Sequence, residues 1–206
     1  MTPTILLTGG IASGKTFASN YLASLNAHII DTDIIARSLL TINGHAKSSS
    51  ILQKLEDYFG ESMFDAGVLN RKKLRSLIFN DANAKVFLEQ LMHPVIFNEV
   101  YEGLQQDHNQ YNLVVIPLLS KDSKYLELKD SVLVIEVDPQ VQLERLMQRD
   151  NISRDLALNI LASQVSNQER RELADTIIIN TNPAHTQNIL KQLDKKYSLA
   201  ALNEGW

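Results

Sequence analysis

The feature that most constrains this chain is the octapeptide Gly9–Thr16, which reads GGIASGKT and fits the pattern G-x-x-x-x-G-K-[ST]. The apolar run Ile5-Leu6-Leu7 precedes it, and apolar residues recur at helical spacing from Ser13 onward. Glycines allow successive backbone N–H groups to point inward without a Cβ clash, and the helix that follows adds its N-terminal dipole. The motif therefore predicts a phosphate-binding loop at the first βα turn of an α/β fold.

Two side chains at the end of the motif have predicted chemical roles. Lys15 would place a positive charge at the β- and γ-phosphates of ATP, and the Thr16 hydroxyl can ligate Mg²⁺. The alternative is a chance glycine-rich turn, against which the flanking strand and helix argue. We predict that the chain binds ATP together with Mg²⁺.

Short apolar runs along the rest of the chain predict a parallel sheet interrupted by a helical insertion. The predicted strands after the first are 28–30, 113–116, 132–137 and 176–179. Asp138-Pro139 and Ser153 predict helix starts, with an N-cap and then proline at the first helical position in the former. Between residues 33 and 105 the pattern is helical with no clear strand, and Pro94 is expected to kink or restart its helix.

Composition excludes several classes of function. The net charge of −4 does not favour a nucleic-acid or membrane-surface partner, and the absence of cysteine excludes disulfides and thiol chemistry. No stretch reaches the ~20 apolar residues of a membrane helix. The N-terminus lacks the basic and apolar regions of a signal peptide. We expect a cytoplasmic protein, monomeric or weakly homo-oligomeric, that acts on a small molecule.

Two acids follow the second predicted strand, where ligands bind in open α/β sheets. Asp31 and Asp33 could orient Mg²⁺ or accept a proton from an attacking hydroxyl. Alternatively, Asp33 caps a helix over 34–40, and one residue could do both.

Arginines are concentrated between residues 145 and 171. Arg145 and Arg149 share a helix face with Gln142 through i, i+3, i+7 spacing. Arginine stabilises the charge of a transferring phosphoryl group, but a solvated basic face is the commoner role for such charges. His93 lies within an apolar helical stripe, where it is either a hydrogen-bonded structural residue or a substrate contact.

Taken together, these motifs resemble the dephospho-coenzyme A kinases, P-loop kinases of the nucleoside-monophosphate-kinase type. The resemblance spans nearly the whole chain. Its segments are Leu7–Thr16, Asp31–Arg37, Leu69–Arg71 with Leu74, His93-Pro94, Ile116–Leu119, Gln142–Asp150, Gln164, Arg170, Ala174-Asp175 and Asn180.

The resemblance implies transfer of the ATP γ-phosphate to the ribose 3′-hydroxyl of dephospho-coenzyme A, the last step of coenzyme A biosynthesis. It implies an α/β three-layer P-loop kinase fold with an about five-stranded, mostly parallel sheet, helices on both faces, a helical insertion and a small lid. The implied divisions are a nucleotide-binding core of residues 1–33, 109–144 and 172–206, a helical substrate-binding domain of 34–108 and a lid of 145–171.

The resemblance also assigns residues. Asp33 is implied as the base or hydroxyl-orienting group, with Lys15 and Arg145 also catalytic. The implied nucleotide-binding residues are Gly10, Ala12, Ser13, Gly14, Lys15, Thr16, Phe17, Arg149 and Asn180, the last near the adenine. The implied acceptor-binding residues are Asp31, Arg71, His93 and Leu118.

The sequence departs from the family pattern at two places. Ala12 stands where the family usually has glycine, and alanine should resist a positive φ. Ser120 and Lys121 stand where an aromatic residue and a glutamate are usual, so Asp122 or Asp33 would have to replace that acid. Two rival functions remain at this stage: a kinase of another small acceptor, such as a nucleoside monophosphate or sugar acid, and a non-catalytic nucleotide-binding protein.

Overall fold

The computed structural model describes residues 2–106 and 110–202, which form two compact units. The first unit contains the described residues up to Asp31 and from Leu104 onward, and the second is Thr32–Gly103. The expected boundary between the helical domain and the core, at residues 108 and 109, lies outside the described residues. Residues 203–206, assigned above to the core, also lie outside them. None of the helices within the described ranges is long and apolar enough to cross a bilayer.

A parallel sheet forms the centre of the first unit. Five strands pair within the described residues in the order β2-β5-β1-β6-β7, and every neighbouring pair is parallel. The strands are β1 (Thr4–Gly9), β2 (His28–Asp31), β5 (Asn112–Val115), β6 (Ser131–Glu136) and β7 (Thr176–Ile179). The predicted α/β fold class with a mostly parallel, about five-stranded sheet is confirmed.

Helices pack around this sheet and complete its core. They are α1 (Lys15–Ala23), α6 (Pro139–Asp150), α7 (Arg154–Ala162), α8 (Asn167–Leu173) and α9 (Pro183–Leu202). Leu22 of α1 and Leu190 and Tyr197 of α9 are fully buried against strand residues of the same cluster. Burying such side chains stabilises the unit by about 1.5–3 kcal/mol each. The strands β1, β5 and β6 are almost continuously apolar because a parallel sheet of this kind is buried on both faces.

Helix caps in the first unit agree with the sequence. The Asp138 carboxylate accepts hydrogen bonds from the backbone N–H groups of Gln140 and Val141, and Pro139 occupies the first turn of α6. The Ser153 hydroxyl accepts from Leu156 N at the start of α7. These side chains satisfy N–H groups that have no partner within the helix, so they fix where α6 and α7 begin.

The second unit is mainly helical around its own apolar core. It contains α2 (Thr32–Leu39), α3 (Ser48–Phe59), α4 (Arg71–Asn80) and α5 (Ala82–Leu104), together with the short strands β3 (Phe64–Asp65) and β4 (Val68–Leu69). Leu39, Leu55 and Leu74 lie in the core of this unit.

The structure differs from expectation at two places in the second unit. The β3–β4 hairpin was not expected; its turn carries positive φ at Ala66 (50°) and Gly67 (79°), which matches the twist of antiparallel strands. Pro94 lies within α5, which continues as one helix through it rather than restarting. The proline ring is exposed, so the side of α5 on which the helical hydrogen bond is lost faces water.

Candidate active site

The glycine-rich loop begins where β1 ends, in the middle of the sheet. Gly9 pairs with Ile135 of β6, and its φ is 153°. A Cβ atom at Gly9 would lie 2.3 Å from the Ile135 carbonyl oxygen. Only glycine fits this close approach, so the loop leaves the sheet at a place where no other residue is tolerated.

Two further residues give the loop its curvature. Ala12 has φ 58° and Gly14 has φ 108°, both in the left-handed region. Ala12 thus adopts the conformation that its Cβ disfavours, at a cost of about 1–2 kcal/mol. Gly14 is the N-cap of α1, and a Cβ there would lie 2.2 Å from Asn180 Nδ2. The loop is therefore shaped by a strained alanine and by a glycine that has no room for a side chain.

Lys15 and Thr16 occupy the first turn of α1. The Lys15 ammonium donates hydrogen bonds to the carbonyl oxygens of Gly9 (2.8 Å) and Gly10 (2.9 Å), which holds its charge over the loop. Thr16 is exposed. Residues 2–106 and 110–202 contain no group of three or more His, Cys, Asp or Glu that could hold a metal. A single hydroxyl suits Mg²⁺ that arrives with nucleotide phosphates and water as its other ligands.

A cavity of about 340 Å³ opens beside the loop. The structure brings Arg145 and Arg149 of α6 into the lining of this cavity. The Asp150 carboxylate accepts hydrogen bonds from Arg149 Nε (2.8 Å) and Nη2 (3.0 Å), which raise the pKa of that guanidinium. The residues that line the cavity are Ala12, Gly14, Phe17, Arg145, Arg149, Asn180 and Pro183.

Asn180 has two polar partners within the first unit. Its Nδ2 donates to the Ser13 carbonyl oxygen at 2.8 Å, and its Oδ1 accepts from the Thr186 hydroxyl at 2.9 Å. Asn180 is 5% exposed and Thr186 is fully buried. Asn180 thus lines the cavity and also supports the loop.

Two further arginines of the cluster, besides Arg149, are engaged within the protein. Arg171 Nε and Nη2 donate to both carboxylate oxygens of the buried Glu136, which raises the pKa of Arg171. Arg170 is buried, which lowers its pKa, and donates to the carbonyl oxygen of Val165 and to Asn167 Oδ1. No role was predicted for Glu136, although an acid within an apolar strand run is itself a signal of a buried ion pair.

The implied acceptor residues are distributed over several elements. Asp31 ends β2, and Leu118, which is 63% exposed, follows β5. Asp33 is the second residue of α2; because this helix begins at Thr32, Asp33 lies inside the first turn and is not its N-cap. His93 is exposed on α5, so it is not a histidine of the core.

Arg71 borders a second cavity, which lies wholly in the second unit. Arg71 begins α4 and donates from Nη2 to the Arg37 carbonyl oxygen (2.9 Å) and to the Thr41 hydroxyl. The cavity has a volume of about 490 Å³ and carries the cations Arg71 and Lys72 on an otherwise largely apolar wall. Its lining residues are Leu40, Thr41, Ile42, Val68, Leu69, Asn70, Arg71 and Lys72.

Comparison with known proteins identifies related sequences over most of the chain. The family model for dephospho-CoA kinase matches residues 4–186. The chain is 42% identical over 181 residues to the dephospho-CoA kinase of Pasteurella multocida, covering 87% of this chain and 85% of that protein. It is 36% identical over 201 residues to that of Nitrosomonas europaea, covering 97% of both proteins.

Two solved structures are similar to this chain in fold. The dephospho-CoA kinase of Campylobacter jejuni superposes with a TM-score of 0.71 at 30% identity, covering 97% of this chain and 99% of that one. A shikimate kinase from Acinetobacter baumannii has a TM-score of 0.54 at 16% identity, with 95% of each chain covered, and shares the fold alone.

Proposed function

The chain belongs to the dephospho-CoA kinase family, and from that premise we propose how its own residues carry out the reaction. The family's reaction joins ATP and dephospho-CoA to give ADP and CoA, the final step of CoA biosynthesis. The oxygen of the ribose 3′-hydroxyl forms a bond to the γ-phosphorus, the bond from that phosphorus to the β,γ-bridging oxygen breaks, and the hydroxyl proton passes to a base, a role proposed below for Asp33.

The observation that carries the proposal is the shape of the loop at the end of β1. Left-handed Ala12 and Gly14 turn the backbone so that the N–H groups from Ala12 to Phe17 can bind phosphate oxygens at the N-terminus of α1. Lys15 Nζ, now on the carbonyls of Gly9 and Gly10, moves onto the β- and γ-phosphates. Gly10 and the residues from Ala12 to Phe17 are thus proposed to bind the ATP phosphates.

The Thr16 hydroxyl would hold Mg²⁺ together with the nucleotide. When bound, the metal supplies charge neutralisation at the β- and γ-phosphate oxygens. Thr16 itself contributes one oxygen ligand from the exposed face of the first turn of α1.

Arg145 and Arg149 are proposed to neutralise the transferring phosphoryl group. Both line the cavity that contains Ala12 and Gly14, so α6 presents two guanidinium groups to the same space as the loop. The segment 145–171 acts as the lid; its turn after α7 is bonded to the loop through Gln164, and closure of the rest of the segment excludes water. Asn180, with Phe17, forms the adenine side of this cavity.

The acceptor is proposed to bind residues that follow β2 and β5 and residues of the helical domain 34–108. Asp33, exposed in the first turn of α2, orients or deprotonates the 3′-hydroxyl. Arg71 contributes a cation to the acceptor's phosphates, and its cavity offers apolar surface beside that charge. The remaining acceptor contacts are Asp31, His93 and Leu118.

The chain is proposed to work as a cytoplasmic enzyme, as a monomer or a weak homo-oligomer. Its net charge of −4 gives no field that would draw it to nucleic acid or to an anionic membrane. The nucleotide-binding core of this proposal is 1–33, 109–144 and 172–206.

A turnover assay with ATP, Mg²⁺ and dephospho-CoA tests the assignment. Release of ADP must depend on dephospho-CoA and must yield CoA, whereas shikimate and nucleoside monophosphates must not support it. Asp33→Asn should lower kcat by about 10²–10⁴-fold while the affinity for ATP is kept. An Asp33→Asn protein with full turnover would remove Asp33 from the mechanism but would leave the family assignment intact.

A further inference from the structure

The peptide groups on both sides of Ile11, inside the phosphate-binding loop, are held by two glutamine side chains. Gln164 Oε1 accepts a hydrogen bond from Ile11 N at 2.9 Å, and Gln142 Nε2 donates one to Ile11 O at 2.7 Å. Gln142 lies on α6 and Gln164 follows α7, so both come from sequence far from the loop. An N–H needs an acceptor and a carbonyl needs a donor, so the peptide chemistry fixes which amide atom faces each group.

Ile11 also packs against α6 and α7 through its side chain. Ile11 and Ala12 lie against an apolar cluster built on Leu143 and Leu146 of α6 and Ala157 of α7. A Cβ atom at Gly10 would lie 2.3 Å from Gln142 Nε2, so the amide of Gln142 rests directly on the loop backbone. The loop is thus embedded in α6 and α7 by apolar packing and by a donor–acceptor pair.

A third side chain secures the turn that carries Gln164. The Arg170 guanidinium is 5% exposed and donates to the carbonyl oxygen of Val165, the residue after Gln164. The same guanidinium approaches Gly10, since a Cβ there would lie 3.3 Å from Arg170 Nη2. The α7–α8 turn is therefore fixed against the loop and is not a free surface connection.

The two hydrogen bonds from the glutamines to Ile11 restrict the conformation of the loop backbone. The N–H of Ile11 is turned toward Gln164 and cannot face a phosphate, while Ala12, the next residue, stands at φ 58°. A left-handed alanine has an unfavourable backbone energy and persists where its surroundings over-determine it. Holding both sides of Ile11 supplies that constraint and so fixes the loop backbone from Ala12 onward, in which Ser13 N donates to Gly10 O at 3.2 Å.

We propose that Gln142 and Gln164 are positioning residues that hold the phosphate-binding loop in its binding conformation and fix it to the arginine-bearing segment 145–171. Because Arg145 lies one turn beyond Gln142 on α6, the hydrogen bond from Gln142 also fixes the position of the Arg145 guanidinium relative to the loop. The two glutamines act on the nucleotide side and do not contact the acceptor. This inference rests on the proposed nucleotide site but does not depend on the identity of the acceptor.

The two hydrogen bonds run in opposite directions, so the same substitution tests them in opposite ways. Gln164→Glu keeps an acceptor for Ile11 N, whereas Gln142→Glu removes the donor and places a carboxylate against the Ile11 carbonyl oxygen. Gln164→Leu removes the acceptor. Gln140→Glu on the exposed face of α6 is the matched control, since the described hydrogen bond of the Gln140 side chain goes to Glu144, away from the loop.

The experiment measures the Kd of Mg·ATP by calorimetry at pH 8, the KM values of both substrates, and the thermal midpoint of each variant. We expect Gln142→Glu and Gln164→Leu to raise the Kd and KM of ATP by about tenfold or more, with the KM of dephospho-CoA changed by less than about threefold. Gln164→Glu and Gln140→Glu should stay within about threefold for ATP.

Equal losses in Gln142→Glu and Gln164→Glu, or unchanged ATP affinity in a folded Gln164→Leu protein, would overturn the proposal. If Gln142→Glu fails to fold, the comparison of Gln164→Leu with Gln164→Glu decides by itself. ATP affinity that follows only the thermal midpoint, with no rescue by Gln164→Glu, would also overturn it. Because calorimetry needs no phosphoryl transfer, failure of the proposed reaction would leave this result readable.

Discussion

Asn180 Nδ2 donates a 2.8 Å hydrogen bond to the carbonyl oxygen of Ser13, so a residue of the loop after β7 supports the phosphate-binding loop from outside. Both partners are buried, at 5% and 1% exposure, which makes the bond sensitive to loss of the donor. Remote side chains thus help to fix the backbone of the loop.

Asn180→Asp should destabilise the protein and weaken ATP binding. The change removes the donor to Ser13 O and sets a buried carboxylate against that carbonyl, which costs about 1–3 kcal/mol. Urea unfolding and calorimetric ATP titration measure the two effects. Thr186→Val, which removes only the second partner of Asn180, is the control and should leave ATP affinity within about threefold. Wild-type ATP affinity in Asn180→Asp would contradict the supporting role.

Gly14→Ala should abolish measurable ATP binding. An alanine there would have to hold φ 108° while its Cβ lay 2.2 Å from Asn180 Nδ2. Gly60→Ala separates the two effects, because Gly60 also has a positive φ (82°) but nothing lies within 4 Å of the added Cβ. Because φ 82° with ψ 165° is a backbone region used almost only by glycine, that control should lose about 1–3 kcal/mol of stability but keep its ATP affinity. Equal ATP affinity in the two variants would show that the space at Gly14 does not matter for binding.

Ala12→Gly should increase the free energy of unfolding. Glycine adopts φ 58° without the Cβ conflict that alanine meets, and the gain is about 1 kcal/mol after the larger entropy of the unfolded glycine is subtracted. Chemical denaturation of the ligand-free protein measures it. Ala157→Gly, within the buried part of α7, should have the opposite sign. A destabilised Ala12→Gly protein would show that Ala12 gains more from packing than it loses in backbone energy.

Arg145→Met should lower kcat by about 10³-fold, because the guanidinium is proposed to neutralise charge that develops on the transferring phosphoryl group. The methionine keeps the apolar part of the side chain and so preserves packing in α6. Arg154→Met, at the first residue of α7 and outside the lining of the cavity, is the matched control and should keep kcat within about threefold. Steady-state kinetics with both substrates measures these effects. A comparable drop in kcat for Arg154→Met would mean that the segment responds to lost charge in general.

Glu99→Gln should remove an acid-sensitive part of the stability of the second unit. Burial alone would raise the pKa of Glu99, but hydrogen bonds from Lys47 (2.7 Å) and His45 (2.9 Å) outweigh it and lower that pKa. A carboxylate with a lowered pKa in the folded state stabilises above its ordinary pKa of about 4.5 and loses that contribution as the pH falls through and below it.

The difference between wild type and Glu99→Gln should therefore be about 1 kcal/mol at pH 7 and should shrink at pH 4. Urea unfolding at the two pH values measures it. Glu102→Gln serves as the control, because that carboxylate is 67% exposed and lies 3.9 Å from Lys47. A difference that grows toward pH 4 would reverse the sign and contradict the assignment.

The sequence was most informative where one local rule decides the structure. Buried parallel strands must be apolar on both faces, so 132–137 was recognisable as a strand and β6 is Ser131–Glu136. The start of α6 followed from the Asp138 carboxylate and the fixed φ of Pro139. Lys15 and the glycines of the loop were recognisable because phosphate binding needs those residue types at that spacing.

The features that could not be predicted from the sequence depend on tertiary contacts or belong to elements too short to show a pattern. The strands β3 and β4 have two residues each, so no alternation could reveal them. The hydrogen bond from Gln142 to Ile11 joins residues separated by 131 positions, and nothing local to either residue indicates it. Ala12 adopts a conformation that its own propensity opposes, because the packing and hydrogen bonds of its neighbours outweigh that propensity.

The position of β1 in the sheet has a consequence for the order in which the chain can acquire its structure during synthesis. Thr4–Gly9 is synthesised before both strands that flank it, Asn112–Val115 and Ser131–Glu136, which follow more than a hundred residues later. The helical unit Thr32–Gly103 relies on nearer neighbours, and local contacts form faster than distant ones. The strand β1 therefore remains without its two partner strands while more than a hundred residues are added, and its exposed apolar side chains are what a chaperone would have to protect in that interval.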